Sequence, residues 1–182
     1  MQASDTPDLV FPLVIFDDIL WPADSMATLL RAAAVPEPYR GLLAHTEHMT
    51  VTVEAFYGCP VDVRVLEAGR DGDFYHRRIV LTLHGTDRIV QYGLVRINLK
   101  LLSAKVREEI LAQKTPLGRI LIENNVLRRV EPTSFLEVRP GPELARHMEL
   151  AKPVTMYGRT GVIFCNDQPA IAVLELLSPV PA

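Results

Sequence analysis

The middle of the chain alternates apolar and polar residues with a period of two, which is typical of β-strands that bury one face. Turn-forming segments such as Gly85-Thr86-Asp87 separate the alternating stretches. The pattern predicts strands at residues 51–57, 61–68, 74–83, 89–98 and 126–138, with two more inside 156–177. Because the connections between many of them are short, we expect one antiparallel sheet of about six strands.

Helical signals flank the predicted strands, and several begin at a residue that stabilises a first helical turn. The predicted helices cover residues 24–33, 103–113, 116–121 and 143–150, with a helical turn or loop at 41–48. Asp24 and Ser25 are expected to cap the first of these helices, and Ser103 the second. Helices mixed with a meandering sheet predict an α+β fold, a six-stranded antiparallel sheet with flanking helices.

Composition places the chain among ordinary globular proteins. It has 182 residues and a mass of 20.3 kDa, with 48% hydrophobic and 23% charged residues, so we expect one domain over residues 1–182. No apolar run is long enough to span a membrane. The apolar stretch Leu9–Ile15 lacks a basic segment before it and is a poor signal peptide, so we expect a cytoplasmic protein.

The charge balance and the cysteines exclude several function classes. A net charge of −3 and a pI near 5.9 argue against binding to nucleic acid or to an anionic membrane surface. The two cysteines, Cys59 and Cys165, form no metal-binding motif and are expected to be reduced thiols. We therefore expect no metal, and a monomer or small homo-oligomer whose partner is a small molecule.

Two charges fall where a charge is costly. In the 74–83 strand, Arg77 shares the more apolar face and is expected to point inward, whereas Arg78 should face solvent. Glu175 lies in a strand that is apolar on both faces. A buried Arg and a buried Glu each need a partner. They could pair with each other, or they could line a cavity in which Arg77 binds a substrate carboxylate and Glu175 meets a hydroxyl.

Two other polar groups carry weaker signals. His45 and His48 flank Glu47 at helical spacing, which in a polar segment usually means an exposed surface. Arg128 and Arg129 form a doublet on an extended segment, where at least one side chain must face solvent.

Five short pieces of the chain resemble the chorismate lyase (chorismate–pyruvate lyase) family. They are Lys114-Thr115-Pro116-Leu117-Gly118-Arg119, the Tyr75–Leu81 strand, Tyr157-Gly158-Arg159, Leu174-Glu175-Leu176-Leu177-Ser178-Pro179 and His48-Met49-Thr50. These pieces occur in the family's order across residues 43–179. The combination is more specific than any one of them.

The resemblance implies an antiparallel sheet whose ligand is enclosed beneath helical flaps, and a lyase reaction without metal or cofactor. Chorismate would be converted to 4-hydroxybenzoate and pyruvate, for ubiquinone or another aryl product. Arg77 would fix the ring carboxylate, and Glu175 would face the ring hydroxyl as an acid, a base or a positioning group. Backbone contacts would fall on Met49 and Leu117.

The chain departs from the family at His48, where the family has Ser, and at Tyr157 and Thr160, where it often has Trp and a second Arg. These changes leave room for a shifted substrate or lost activity. The second hypothesis is therefore a non-catalytic domain that binds an aromatic acid, because the same fold resembles the effector-binding half of some bacterial transcription regulators. Those regulators carry a winged-helix segment first, and we expect the roughly 50 residues before the strands to be too few and too uncharged for one. A scaffold with a purely structural Arg77–Glu175 pair is the third.

Overall fold

The computed structural model describes residues 24–180, and these residues form a seven-stranded sheet with every neighbouring pair antiparallel. The spatial order of the strands is β1-β5-β6-β7-β4-β3-β2. The strands are β1 Met26–Leu30, β2 Val61–Asp71, β3 Phe74–Leu83, β4 Ile89–Asn98, β5 Arg128–Arg139, β6 Met156–Cys165 and β7 Gln168–Leu177. The predicted α+β class is confirmed, with seven strands rather than six.

The helices are α1 Tyr39–Leu43, α2 Met49–Tyr57, α3 Ala104–Leu111, α4 Leu117–Glu123 and α5 Pro142–His147, with 3-10 turns at Ala32–Ala34 and Leu99–Leu101. Ser103 caps α3 as predicted, because its hydroxyl accepts from the Val106 amide over 3.4 Å. Among the described residues, no helix is long and apolar enough to cross a membrane.

Both faces of the sheet are covered, and this corrects the prediction for Arg78. Helices α1 to α4 lie over the face that carries Arg77, and α5 lies over the face that carries Arg78. Arg78 is only 6% exposed, and Glu143 of α5 accepts from its Nη1 over 2.6 Å. The prediction assumed one solvated face, whereas the structure buries an apolar layer on each side.

Two local predictions are wrong. Residues 51–57, predicted as a strand, belong to helix α2, which ends at Gly58 in the left-handed conformation with φ of 61°. The β-branched residues favour a strand locally. Packing of Met49 and Val53 into the core stabilises the helix and overrides that preference.

Residues 26–30, predicted as helix, form the edge strand β1, which pairs with β5. The residues expected to cap that helix instead hold the start of α5. Ser25 Oγ accepts from the Gly141 amide over 2.9 Å, and Asp24 Oδ2 accepts from the Glu143 amide over 3.2 Å. The predicted cap is therefore wrong, because the two side chains accept from amides at the start of a helix more than 100 residues further along the chain.

Candidate functional site

A small cavity lies between the sheet and the first turns of helices α2 and α4. Its floor is formed by β2, β3, β4, β6 and β7, and its roof by the first turns of the two helices. The lining residues are His48, Met49, Thr50, Val63, Arg77, Ile79, Leu81, Gln91, Gly93, Val95, Leu117, Gly118, Ile163, Val173 and Glu175. The cavity has a volume of about 40 Å³. On the same scale, one water molecule needs about 10–15 Å³. An occupant is therefore a few waters or one small organic molecule.

All four residues predicted for the site line this cavity. Arg77 comes from β3 and Glu175 from β7, while Met49 and Leu117 are the first residues of α2 and α4. The strand pleat places Arg77 and Glu175 on one face of the sheet, and the two helix starts close over them. The structure thus brings the four residues together at one cavity, whereas the roles assigned to them remain predictions.

Arg77 is the main positive charge of the cavity. Its side chain is buried, with the residue 1% exposed, and among residues 24–180 its Nε and Nη1 have no hydrogen-bond partner. Burial lowers the pKa of Arg77, and a hydrogen bond with the Tyr75 hydroxyl partly opposes that shift. Tyr75 is in turn held by Gln113, whose Nε2 donates to the hydroxyl over 2.8 Å. Two donor atoms of Arg77 are left for a ligand.

Glu175 pairs with Arg159, not with Arg77. The two residues face each other on β7 and β6, and Arg159 Nε donates to Glu175 Oε2 over 2.8 Å. The Glu175 side chain is 13% exposed, and Arg159 is buried. The hypothesis of a purely structural Arg77–Glu175 pair is therefore wrong.

Arg159 also fixes the covering loop, residues 43–48, which joins α1 to α2 beside the cavity. Its guanidinium donates to the backbone carbonyl oxygens of Leu43, His45 and Glu47 over 2.8 to 3.1 Å. One buried cation therefore ties the sheet to the loop that leads into helix α2. A carboxylate and three carbonyls satisfy it, which explains how its charge is tolerated inside the protein.

The two histidines of the covering loop are held neutral. His45 Nε2 donates to Leu42 O over 2.7 Å, so its Nδ1 accepts from the Glu47 amide over 3.1 Å. Burial, and then the charge of Arg159, lowers the pKa of His45. Burial is also the first cause at His48, followed by the charges of Arg128 and Arg159, and lowers its pKa to about 4. The prediction of exposed histidines is wrong for His48, which is 6% exposed.

An ion pair and close helix packing hold α2 and α4 together in the roof of the cavity. Arg119 of α4 pairs with Glu54 of α2, and Glu54 Oε1 also accepts from the Val61 amide over 2.9 Å. At Gly118 a Cβ atom would lie 3.0 Å from Thr50 Oγ1, so the absence of a side chain lets α4 approach α2.

Sequence reasoning did not single out Gln91 or Gly93, and it named Arg159 only within the family resemblance. Arg159 was detectable by the rule that identified Arg77 and Glu175, because it is a charge within a strongly apolar strand. Gln91 and Gly93 carried no comparable signal, since an amide and a glycine are common in exposed strands as well.

A wider groove lies on the outer side of the covering loop. It has a volume of about 560 Å³, opens to solvent, and shares His48 with the interior cavity. Its arginines are exposed, and Arg129 pairs with Glu131, so its polar groups are satisfied by water and by neighbours. Among the described residues, no cluster of three His, Cys, Asp or Glu side chains could hold a metal ion. The interior cavity is therefore the better candidate site.

Comparisons with known proteins identify the fold. No family model and no curated protein matches the chain. Among solved structures, the ligand-binding domain of a GntR-family transcriptional regulator from Bordetella bronchiseptica matches with a TM-score of 0.50 and 17% identity, covering 65% of this chain and 85% of that one. PhnF from Mycobacterium smegmatis matches with a TM-score of 0.56 and 13% identity, covering 73% of this chain and 64% of that one. At these identities the similarity shows the fold, and the predicted chorismate lyase-like architecture is confirmed.

The same comparisons correct the prediction of an enzyme. The similar solved structures reported above are described as a transcriptional regulator's ligand-binding domain and as PhnF, and neither description names a lyase. Glu175, predicted to act as an acid, a base or a positioning group, has its Oε2 engaged by Arg159.

Proposed function

We propose that this chain is a non-catalytic binding domain whose cavity takes a small aromatic acid. The observation that carries the proposal is a concentration of unpartnered polar atoms in one cavity. Within residues 24–180, the buried side-chain atoms without a hydrogen-bond partner include His48 Nε2, Arg77 Nε and Nη1, and Gln91 Oε1, and all three residues line it. Since buried polar groups are normally satisfied, such a group of atoms is expected where a ligand supplies the partners.

The charge of the cavity suits a monoanion. Arg77 and Glu175 line the cavity with one positive and one negative charge, and Arg159 behind Glu175 neutralises the negative one. The charge of Arg77 is left over, and a carboxylate would accept a charge-assisted hydrogen bond from one of its unpartnered donors, Nε or Nη1. The same contact would relieve the cost of burying Arg77.

The shape and polarity of the walls suit a flat ring. Six apolar side chains of the sheet line the cavity, and Gly93 leaves a space between them. They are Val63, Ile79, Leu81, Val95, Ile163 and Val173. Binding pockets for small molecules commonly combine apolar walls with a few placed polar groups. We therefore propose a hydroxybenzoate-like acid, with its carboxylate at Arg77 and its ring on the sheet.

Isothermal titration with 4-hydroxybenzoate and with its neutral amide, 4-hydroxybenzamide, tests the proposal. We expect the acid to bind and the amide to bind about tenfold more weakly or worse, because the amide lacks the charge that pairs with Arg77. Equal affinities would show that Arg77 is not a carboxylate anchor, and no binding of any small aromatic acid would contradict the proposed function.

Incubation with chorismate tests the non-catalytic part of the proposal. We expect no release of pyruvate above the spontaneous rate, and the same sample should still bind 4-hydroxybenzoate. Pyruvate release that depends on the protein and is inhibited by 4-hydroxybenzoate would contradict this part.

A further inference from the structure

The cavity contains a further buried polar side chain besides Arg77 and Glu175, and the proposed function has not yet given it a role. Gln91 lies on β4 with its side chain in the cavity, and the residue is 4% exposed. Among the described residues, its Oε1 has no hydrogen-bond partner. A buried amide without a partner destabilises a protein, and it is therefore expected to serve a ligand or a bound water.

The strand register places Gln91 and Arg77 at opposite ends of the cavity floor. Arg77 pairs with Val95, and Gln91 lies four residues away along β4, opposite Leu81 and Leu177. Four residues of a strand span roughly 13 Å, and the two long side chains extend into the space between them. A ring whose carboxylate contacts Arg77 would therefore direct its far edge toward Gln91.

Glu175 occupies a different position. It lies on β7 opposite Gly93, midway between the levels of Arg77 and Gln91, and its Oε2 is taken by Arg159. A para group that points along the floor away from Arg77 would pass the level of Glu175 and face the end of the cavity that carries Gln91.

Resting on the proposed function, we infer that Gln91 is a specificity-determining residue that selects acids with a neutral hydrogen-bonding group, such as a hydroxyl, opposite the carboxylate. The amide carries both a donor and an acceptor, as a hydroxyl does, so the two groups can satisfy each other. An apolar group of the same size would leave the amide unpaired, and a site of this kind rejects such a ligand.

Titration of the intact protein with 4-hydroxybenzoate and with 4-methylbenzoate tests the inference, since hydroxyl and methyl differ little in size. We expect the wild type to prefer the hydroxy acid by about tenfold or more. In Gln91→Leu the preference should disappear or reverse, mainly because 4-methylbenzoate gains affinity. Gln168→Leu, at an exposed position of β7, is the matched control and should keep the wild-type ratio.

The outcomes separate the inference from the proposed function. Gln91→Leu should fold at least as well as the wild type, because it removes a buried carbonyl oxygen, Oε1, that has no partner among the described residues, and a melting curve checks this. An unchanged preference in a folded Gln91→Leu variant would overturn the inference and leave the proposed function standing. If Glu175→Gln removes the preference while Gln91→Leu does not, Glu175 is the group that contacts the hydroxyl. If none of the acids binds the wild type, both the proposed function and the inference are wrong.

Discussion

Arg159 and Glu175 face each other across β6 and β7, and the Nε of the arginine donates to the carboxylate over 2.8 Å. This pair decides how the cavity can work. Because Glu175 is neutralised by Arg159, the charge of Arg77 is left without a carboxylate among the described residues. The carboxylate of a bound acid would be the missing partner of Arg77.

Replacement of Arg159 by Met should strongly destabilise the protein. The change leaves the Glu175 carboxylate and the carbonyls of the covering loop without their shared donor. Removing one member of a buried pair costs roughly 3–5 kcal/mol, and urea unfolding measures the loss. Arg64→Met, in the exposed pair Arg64–Glu149, is the control and should cost less than about 1 kcal/mol. Similar losses in the two variants would contradict the assigned role of Arg159.

Arg77→Met should have opposite effects on stability and on binding. In the ligand-free protein it removes a buried charge with two unpartnered donors, so the free energy of unfolding should stay the same or rise. Binding of 4-hydroxybenzoate should weaken by on the order of 2–5 kcal/mol, because a buried charged contact is lost.

Thermal melts with and without 4-hydroxybenzoate measure both quantities for Arg77→Met on one sample. Arg139→Met, at an exposed position of β5, is the matched control and should leave the response to ligand unchanged. A strongly destabilised Arg77→Met that still binds the acid would assign Arg77 a structural role instead.

Much of the sheet could be predicted because its strands carry local signals. The alternation in β3 and β4 and the turns between them predicted both strands with their observed bounds. The errors came where distant contacts decide the structure. Residues 49–57 are rich in β-branched side chains, yet the core and α4 hold them as a helix. No local pattern shows that Asp24 and Ser25 accept hydrogen bonds at the start of α5, which is more than 100 residues away in the sequence.

Sequence reasoning predicted four residues that line the cavity, but it did not predict which charges pair with each other. The parity of β3 and the apolar surroundings of Glu175 led to two cavity residues, because a charge in an apolar strand is rare. Which charge pairs with which depends on strand order, and the sequence alone does not give the neighbour relation of β6 and β7. The prediction for Arg78 failed for a related reason, since α5 covers the face that was assigned to solvent.

Stability should fall as the pH drops below about 6.5, the ordinary pKa of histidine. The folded protein lowers the pKa of His45 and lowers that of His48 to about 4, so the neutral rings favour folding. This contribution is complete above pH 6.5 and is lost as the pH falls toward 4. For His48 the full loss is about 3 kcal/mol.

Urea midpoints between pH 7.5 and 5 measure this loss above the range in which carboxylates titrate. His48→Leu should flatten the dependence, because it removes the titrating ring while keeping a buried apolar side chain. A slope that His48→Leu leaves unchanged would show that the ring does not contribute.

Gly93→Ala should reduce binding without unfolding the sheet. A Cβ atom at Gly93 would project into the cavity and meet Ile79 Cδ1 at 3.1 Å, the flexible end of a side chain that can move aside. Alanine also loses less backbone entropy than glycine on folding, so stability should change little. The added methyl group takes space from a small cavity, and a misfit of one methyl group weakens binding by roughly 1–3 kcal/mol. The change should appear in the dissociation constant of 4-hydroxybenzoate at an unchanged melting temperature.

Gly41→Ala in helix α1, where a Cβ meets only ordinary contacts, is the control and should bind as the wild type does. Unchanged affinity in Gly93→Ala would show that the ring does not lie on this part of the sheet.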